Sequence, residues 1–505
     1  MSYLVRISLC SALALGAAST AFADIEPQDV WDVWQEQFAH TGQTLTTGSV
    51  EAKRKLLTIR DISTVMESET NRTTMQLEQI EMRALRGGKV EIIFSPQITL
   101  SSMNTLDDDN SAQMQGTISL GEHRMIASGD PEQISYEIEA STISIDTNNS
   151  IDNGVASVVD MDVTLEGVTG VYETAPIKDG MLPAHFDILI AKYSATAVST
   201  VKAKDTFKLV GALADYKVFG DIQFPQDSAA GGVGGWLGAG AIMDAKASTG
   251  AGSFDFEADA GAKSAQGTFA VASSTVGIVM SDDSIAYSGD VQGISFTAKG
   301  PRIPVPEVSG ALAQYRFGLS MPVKPSSEPK DFSLDIGLED FTLGEDVWAL
   351  FDPSKGLPRD PVQLDLALSG KGNWLVDIFD PEVVKDAGQK RQAPGALQDF
   401  AIDRLKLAVA GALLTGSGTA TFNPDVKPKG RGFPIPDGTL NLALTGGYGL
   451  MGKLTEIGLL PADQAMGAQM MLGLFTKPGT EPDSLTTELK STSDGALYAN
   501  GQRFK

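Results

Sequence analysis

Alternation of apolar and polar residues with period two, repeated along most of the 505 residues, is the feature that most limits what this chain can become. Phe254, Phe256 and Ala258 alternate with Asp255, Glu257 and Asp259, which gives a strand with one apolar and one acidic face. The pattern returns as Ile134, Tyr136, Ile138; as Phe332, Leu334, Ile336, Leu338; as Leu364, Leu366, Leu368; as Leu405, Leu407, Val409; and as Leu440, Leu442, Leu444. Such segments are half-buried antiparallel strands. Gly87-Gly88, Asp152-Asn153-Gly154, Ser288-Gly289-Asp290 and Ser369-Gly370 read as turns between them, so hairpins in sequence order are the economical topology. The apolar register slips by one between Leu77 and Ile80 and between Ala140 and Ile143, as bulges in a twisted or curved sheet require. The fold class expected is mainly β, with long antiparallel, curved sheets forming a groove or a sandwich.

Helices are expected at the two ends. Pro27 suits a first helical turn, Asp29 and Asp32 suit its positive end, and Val30, Trp34 and Phe38 recur at four-residue spacing. Trp31 and Trp34 could dock on a membrane, but the segment lacks the Lys or Arg of interfacial helices, so it is expected to pack on its own domain. Near the other end, residues 448–475 read as a helical hairpin around Pro461, closed by Lys477-Pro478-Gly479. Met466, Met470, Met471 and Leu474 form a stripe that is expected to fill core, with contact to a flexible apolar ligand as the other use of such a stripe. A last pair of strands follows, Ser484 to Lys490 and Asp494 to Phe504, with Asn500-Gly501 as a turn.

Ahead of the first helix, Met1 to Arg6 carry one positive charge and Ile7 to Ala17 are an apolar run. Ala21-Phe22-Ala23 has the small-x-small form cut by signal peptidase. Residues 1–23 are therefore expected to be a cleaved secretory signal, since the run is well short of the ~20 residues that span a bilayer. The only cysteine, Cys10, falls inside it, which leaves a mature chain without disulfides, thiolate metal sites or cysteine nucleophiles. The expected location is the periplasm, with no transmembrane span in the mature chain.

Composition divides what remains. Residues 24–300 form an acidic β region with 18 Lys+Arg against 39 Asp+Glu, and residues 301–330 hold six prolines and read as a linker or a sheet edge. Residues 331–505 form a second β region. The net charge of -25 opposes nucleic acid as a partner. Gly231 to Gly240 reads as a loop, and Leu237 stands where a dinucleotide-binding G-x-G-x-x-G would need its third glycine.

The chemical inventory is thin. His40, His123 and His185 are far apart, without metal-ligand spacing, and no G-x-S-x-G elbow occurs. Asp107-Asp108-Asp109 and the run Asp146 to Asp152, with Asn148 and Asn149, offer calcium-type oxygens but lack calcium-loop spacing and read as solvated hairpin tips. Asp160 and Asp162 share a strand face, a geometry that glycosidases use and that any solvent face also has. No residue is assigned as catalytic, cofactor-binding or metal-ligating, and no cofactor is expected. Trp348 and Phe351 are expected to be buried helix-turn anchors, with Trp348→Ala destabilising by about 3 to 5 kcal/mol.

Several motifs resemble one family. They are Asp29-Val30-Trp31-Asp32-Val33-Trp34; Asp346-Val347-Trp348-Ala349-Leu350-Phe351-Asp352-Pro353 with Gly356-Leu357-Pro358-Arg359-Asp360-Pro361; Ile457-Gly458-Leu459-Leu460-Pro461 with Met470-Met471-Leu472-Gly473-Leu474-Phe475; and the ending from Asp494 to Phe504. Together they resemble the bacterial family called domain of unknown function 2125, most strongly after Asp331. The resemblance implies a Gram-negative envelope and no particular activity. The texture of repeated amphipathic strands is also similar to AsmA-like envelope proteins, whose sheets form grooves for lipid.

Two uses remain for such a chain. Its apolar strand faces could hold lipid or another amphiphile in a groove, without chemistry. They could instead close on each other as a sandwich in a scaffold that binds an envelope protein. Both have the same period, so the strands alone leave the choice open. An outer-membrane barrel is the more remote alternative, opposed by acidic outward faces, low aromatic content and helical ends.

Overall fold

The computed structural model describes residues 24–68, 70–107, 110–152, 157–201, 205–226, 233–390, 393–423 and 434–505. The expected signal 1–23 with Cys10, Asp108-Asp109, Asn153-Gly154 and Gly231-Gly232 lie outside the described residues. Helix α1 (Pro27–His40) is followed by β1 (Gln43–Thr46), β2 (Ser49–Lys53), β3 (Leu56–Glu67), β4 (Asn71–Ala84), β5 (Val90–Phe94), β6 (Gln97–Asp107) and β7 (Asn110–Leu120). Next come β8 (His123–Asp130), β9 (Gln133–Asp152), β10 (Ser157–Thr174), β11 (Met181–Val201) and β12 (Asp205–Pro225). After α2 (Val233–Gly238) follow β13 (Ile242–Thr249), β14 (Gly252–Asp259), β15 (Ala265–Val271), β16 (Ser273–Met280), β17 (Ser284–Lys299), β18 (Val308–Pro322) and β19 (Lys330–Leu343). The chain continues with α3 (Glu345–Trp348), β20 (Val362–Trp374), α4 (Pro381–Gln389), β21 (Gly395–Val409), β22 (Ala412–Phe422) and β23 (Pro436–Thr445). It ends with α5 (Gly447–Glu456), α6 (Ala462–Phe475), β24 (Lys477–Pro478), β25 (Ser484–Ser491), β26 (Leu497–Ala499) and β27 (Gln502–Arg503).

All these strands form one antiparallel sheet, mainly a meander in sequence order. Some layers are one long strand and others are two short strands end to end. Thus β9 pairs along its first half with β8 and along its second with β7, and β12 pairs with both β13 and β14. There is no second sheet among the described residues, so the groove-or-sandwich alternative resolves to a single sheet. Its first layer, β1 with β2, pairs with β3 and not with the last strands, so among the described residues the sheet does not close into a ring.

A crease runs across fourteen successive layers. The two expected slips, Leu77 to Ile80 and Ala140 to Ile143, both fall on it. The same three-residue step recurs as Ile59 to Ile62, Leu165 to Val168, Ile190 to Tyr193, Leu213 to Tyr216, Val291 to Ile294, Leu312 to Tyr315 and Leu338 to Phe341. Because every strand inserts its extra residue at the same level, pairing stays in register while the sheet bends. Asp61, Gly167, Asp215, Gly293 and Asp340 take positive φ there, and the two-strand layers break there at Gly48, Ser95-Pro96, Gly121 and Gly250. Ala191 faces Gly167 and Ala272 faces Gly293, so small residues leave room at the bend.

The apolar face is the inside of that bend. Ala140, Val168 and Ile190 on one side of the crease are buried against Ile143 and Leu165 on the other. Across the layers the sheet also curls: α1 packs on β1, β3 and β4, yet its last residue, His40, donates from Nε2 to the Phe224 carbonyl of β12 at 3.1 Å. On a flat sheet β3 and β12 lie seven layers apart, ~34 Å, whereas a helix of 14 residues is ~21 Å long.

The crease divides the sheet into two wings. The wing that holds β5, β8 and the first half of β9 is covered: Val30 and Trp31 of α1 are buried against Leu57, Ile59, Met82, Ile92 and Tyr136. Trp34 donates from Nε1 to the Tyr136 hydroxyl at 2.9 Å, and burial pushes that phenol's pKa up despite the bond, so it stays protonated. Farther along the same wing, Leu237 of α2 is buried with Met280, Ile285 and Val323. The expected loop at Gly231 to Gly240 is therefore partly a helical turn, held by Trp236 and Leu237, which pack as anchors despite the surrounding glycines.

Other expectations also shift. Ser288-Gly289-Asp290 and Ser369-Gly370 lie inside β17 and β20, not at turns. At Gly370 the reason is close approach, since a Cβ there would meet the Phe332 ring at 2.6 Å. Residues 301–330 hold β18, bonded to β17 on one side and β19 on the other, so the sheet continues through the proline-rich stretch. Its prolines stand in the flanking loops or, as Pro322, at the strand's end.

Candidate functional site

The other wing, which holds β6, β7, β14, β15 and the ends of β9 to β12, carries the same apolar face, and among the described residues no helix makes an extensive contact with those strands. α3 and α5 meet this side of the sheet farther along, at the start of β18 and at β22. Leu100, Ile118, Ile145, Leu209 and Phe254 remain half-buried, and Phe269 is 40% exposed, although all point to the inside of the curl. Contiguous exposed apolar surface is uncommon on monomeric proteins and characteristic of interaction surfaces.

Its floor has a specific construction. Register places Gly211, Phe254, Phe269, Phe296 and Gly310 side by side across five layers. The Phe254 ring lies over Gly211 and the Phe296 ring over Gly310, where a Cβ would approach ring carbons to 2.1 and 2.5 Å. Phe256 covers Gly267 in the same way. Rings laid over glycines protect bare backbone and leave a low, smooth apolar floor. Phe254 and Phe269 have ring centroids 6.5 Å apart. The residues offer no metal-ligand set and no nucleophile. What the surface can do is bind a flexible apolar chain.

The acidic candidates lie on the opposite, outer face. Asp146 is inside the β9 ladder, directly across from Asp162, and Asn148 donates to Asp160 at 2.5 Å, so these residues belong to the sheet and not to a hairpin tip. They line a shallow depression of about 620 Å3 together with Thr99, Gln115 and Thr117. Asp160 and Asp162 are exposed there, as on an amphipathic strand's solvent face.

The three histidines are not brought together. His40 ends α1, His123 begins β8, and His185 lies in β11 with Nδ1 2.9 Å from Asp221. His123 accepts from the Phe94 N–H on Nε2 and donates from Nδ1 to the Gly121 carbonyl, which fixes its tautomer and pins the crease. Among the described residues no group of three or more His, Cys, Asp or Glu is placed to hold a metal ion.

One polar centre escaped the sequence reading. Trp348 and Phe351 are half-buried, not buried as expected, because α3 is a single turn on the rim of the sheet. The buried group beside them is Asp352, with no exposed surface. Its carboxylate accepts from the Gly356 and Leu357 N–H groups at 2.8 and 2.9 Å, and from Arg359 and Ser354. Burial alone would raise its pKa, but the Arg359 bond, the two backbone bonds and the Arg359 charge outweigh it and hold the carboxyl at about 2. Arg359 in turn lies under the Trp348 ring, 4.1 Å from its centroid. This ionic knot shapes the loop between β19 and β20, against which Ile457, just after α5, also rests at Gly356.

The hairpin of α5 and α6 is present as expected, but its stripe is not core. Met466, Met470, Met471 and Leu474 all point into solvent, and Ala465 is the buried residue of α6.

Fold and surface together define a class: an open, creased, curled antiparallel sheet with α1 and α2 packed over one wing and an exposed apolar floor across β14, β15 and β17 on the other. Over residues 253–502 the chain belongs to a family described as an uncharacterized protein conserved in bacteria (DUF2125). That stretch runs from β14 through the Asp352 loop and α6, whereas α1 and its Asp29 to Trp34 motif lie before it. No curated protein and no solved structure matches the chain.

Proposed function

We propose that the protein is an exported, non-catalytic envelope protein that holds the hydrocarbon part of a lipid or similar amphiphile against the floor of the open wing. The observation that supports this reading is the run of uncovered apolar side chains inside the curl, with phenylalanine rings laid over glycines. An amphiphile covers such a floor with its chain and leaves its polar head at the rim. The acidic outer face keeps the loaded protein soluble and repels other copies of itself. The sequence of residues 1–23 supports delivery to the periplasm, where such a carrier or holder works without disulfides.

Native mass spectrometry of protein purified gently from a Gram-negative periplasm tests the reading. A stoichiometric amphiphile is expected, and it should be missing from a Phe254→Glu/Phe269→Glu variant. A clean apo mass, unchanged when phospholipid is supplied, overturns it.

A further inference from the structure

The α6 helix is turned inside out. Met466 is 68% exposed, Met470 67%, Met471 53% and Leu474 67%, and these four share its outward side, while Ala465 faces inward. From Ile457 to Thr476 the only ionisable side chain is Asp463, in the first turn of α6, although the chain as a whole carries a net charge of -25. We propose that this outward face seats in the surface layer of a lipid bilayer, with the helix lying along the membrane plane.

Three observations favour a bilayer over a protein. The four side chains present on the order of 500 Å2, so a symmetric pair of copies would bury about 1,000 Å2, below the ~1,200 Å2 of stable complexes. Two copies of so acidic a chain also repel each other. The patch itself is uncharged, so hydrocarbon contact under a zwitterionic headgroup layer, without attraction to anionic lipid, is the contact open to it; α1 lacks cations too, but its apolar side is already buried on its own sheet. At 14 residues, ~21 Å, α6 is too short to cross the ~30 Å hydrocarbon core, and no described helix is long and apolar enough to do so. The helix therefore lies on the membrane.

The inference goes beyond the lipid-holding reading and uses different residues, so the two fail separately. The test is co-sedimentation of the purified protein with phosphatidylcholine vesicles, beside a Met470→Glu/Leu474→Glu variant checked by circular dichroism. The unaltered protein is expected to bind, the variant at least tenfold more weakly, and added anionic lipid should not strengthen binding. The variant should keep its bound amphiphile in native mass spectrometry, whereas Phe254→Glu/Phe269→Glu should lose the amphiphile and keep vesicle binding. Absence of vesicle binding, equal binding by the variant, or self-association through α6 without vesicle binding overturns the proposal. If the double variant misfolds, Met470→Cys carrying an environment-sensitive dye replaces it. Blue-shifted emission on vesicles supports the seat, and unchanged emission contradicts it.

Discussion

The two wings are built from the same strands, yet one is a core and the other a bare floor. On the covered wing, α1 and α2 bring Trp31 and Leu237 down onto the apolar face, and the residues beneath become fully buried. On the open wing the same alternation continues past the crease; Val163, close to it, is buried, but farther out Phe269 stays 40% exposed among neighbouring rings and glycines. The comparison teaches that strand pattern sets which face is apolar, while the helices decide which part of that face is spent on stability. The crease lets one sheet serve both purposes.

The contrast can be broken most forcefully at Trp31. Because it is 2% exposed under the covered wing, Trp31→Ala should destabilise by about 3 to 5 kcal/mol in urea unfolding, and an unchanged midpoint would break the assignment of this wing as the core. The crease itself comes next. Gly167 has φ +63 and a Cβ there would stand 3.0 Å from that of Ala191, so Gly167→Val should destabilise by about 1 to 3 kcal/mol.

Trp348→Ala should come out smaller, about 1 to 2 kcal/mol, because the ring is half-buried and what it loses is mainly its contact with Arg359. A loss as large as that at Trp31 would restore the buried anchor expected from sequence. Asp352 sharpens the same region through pH. Its folded pKa of about 2 is below its ordinary value, so its contribution is present above pH ~4 and is lost as pH falls through ~2. Unfolding midpoints between those values should fall for the unaltered protein and flatten for Asp352→Asn; equal slopes would contradict the ionic knot.

The smallest stability effect is expected on the floor. Phe269→Glu should shift stability by about 1 kcal/mol or less, since this side chain is already 40% exposed, while weakening amphiphile retention.

Much of this architecture was legible. Alternation identified the strands from Ile134 to Leu444, and Leu77/Ile80 and Ala140/Ile143 marked two points of the crease. That the slips align across layers was not visible, because alignment depends on register between strands far apart in sequence. The glycines misled for a related reason. Gly370 signals a turn by composition, but it exists to admit Phe332 from the adjacent layer. Likewise Gly211 and Gly310 become part of the floor only when pairing sets them beside Phe254 and Phe296. Asp352 stood in the sequence only as part of a family-like motif, since its burial depends on Arg359 folding back seven residues later. The Met466 to Leu474 stripe had the spacing of a core element, and spacing cannot tell an apolar face turned inward from one turned out.

The account's central claim is that the inside of the open wing holds an amphiphile, and site-specific photocrosslinking tests it most directly. A photoreactive residue placed at Phe269 should capture lipid in the periplasm, while one at Thr268, the next residue and on the outer face, should not. Lipid adducts at both positions, or at neither while lipid is abundant, would contradict the claim.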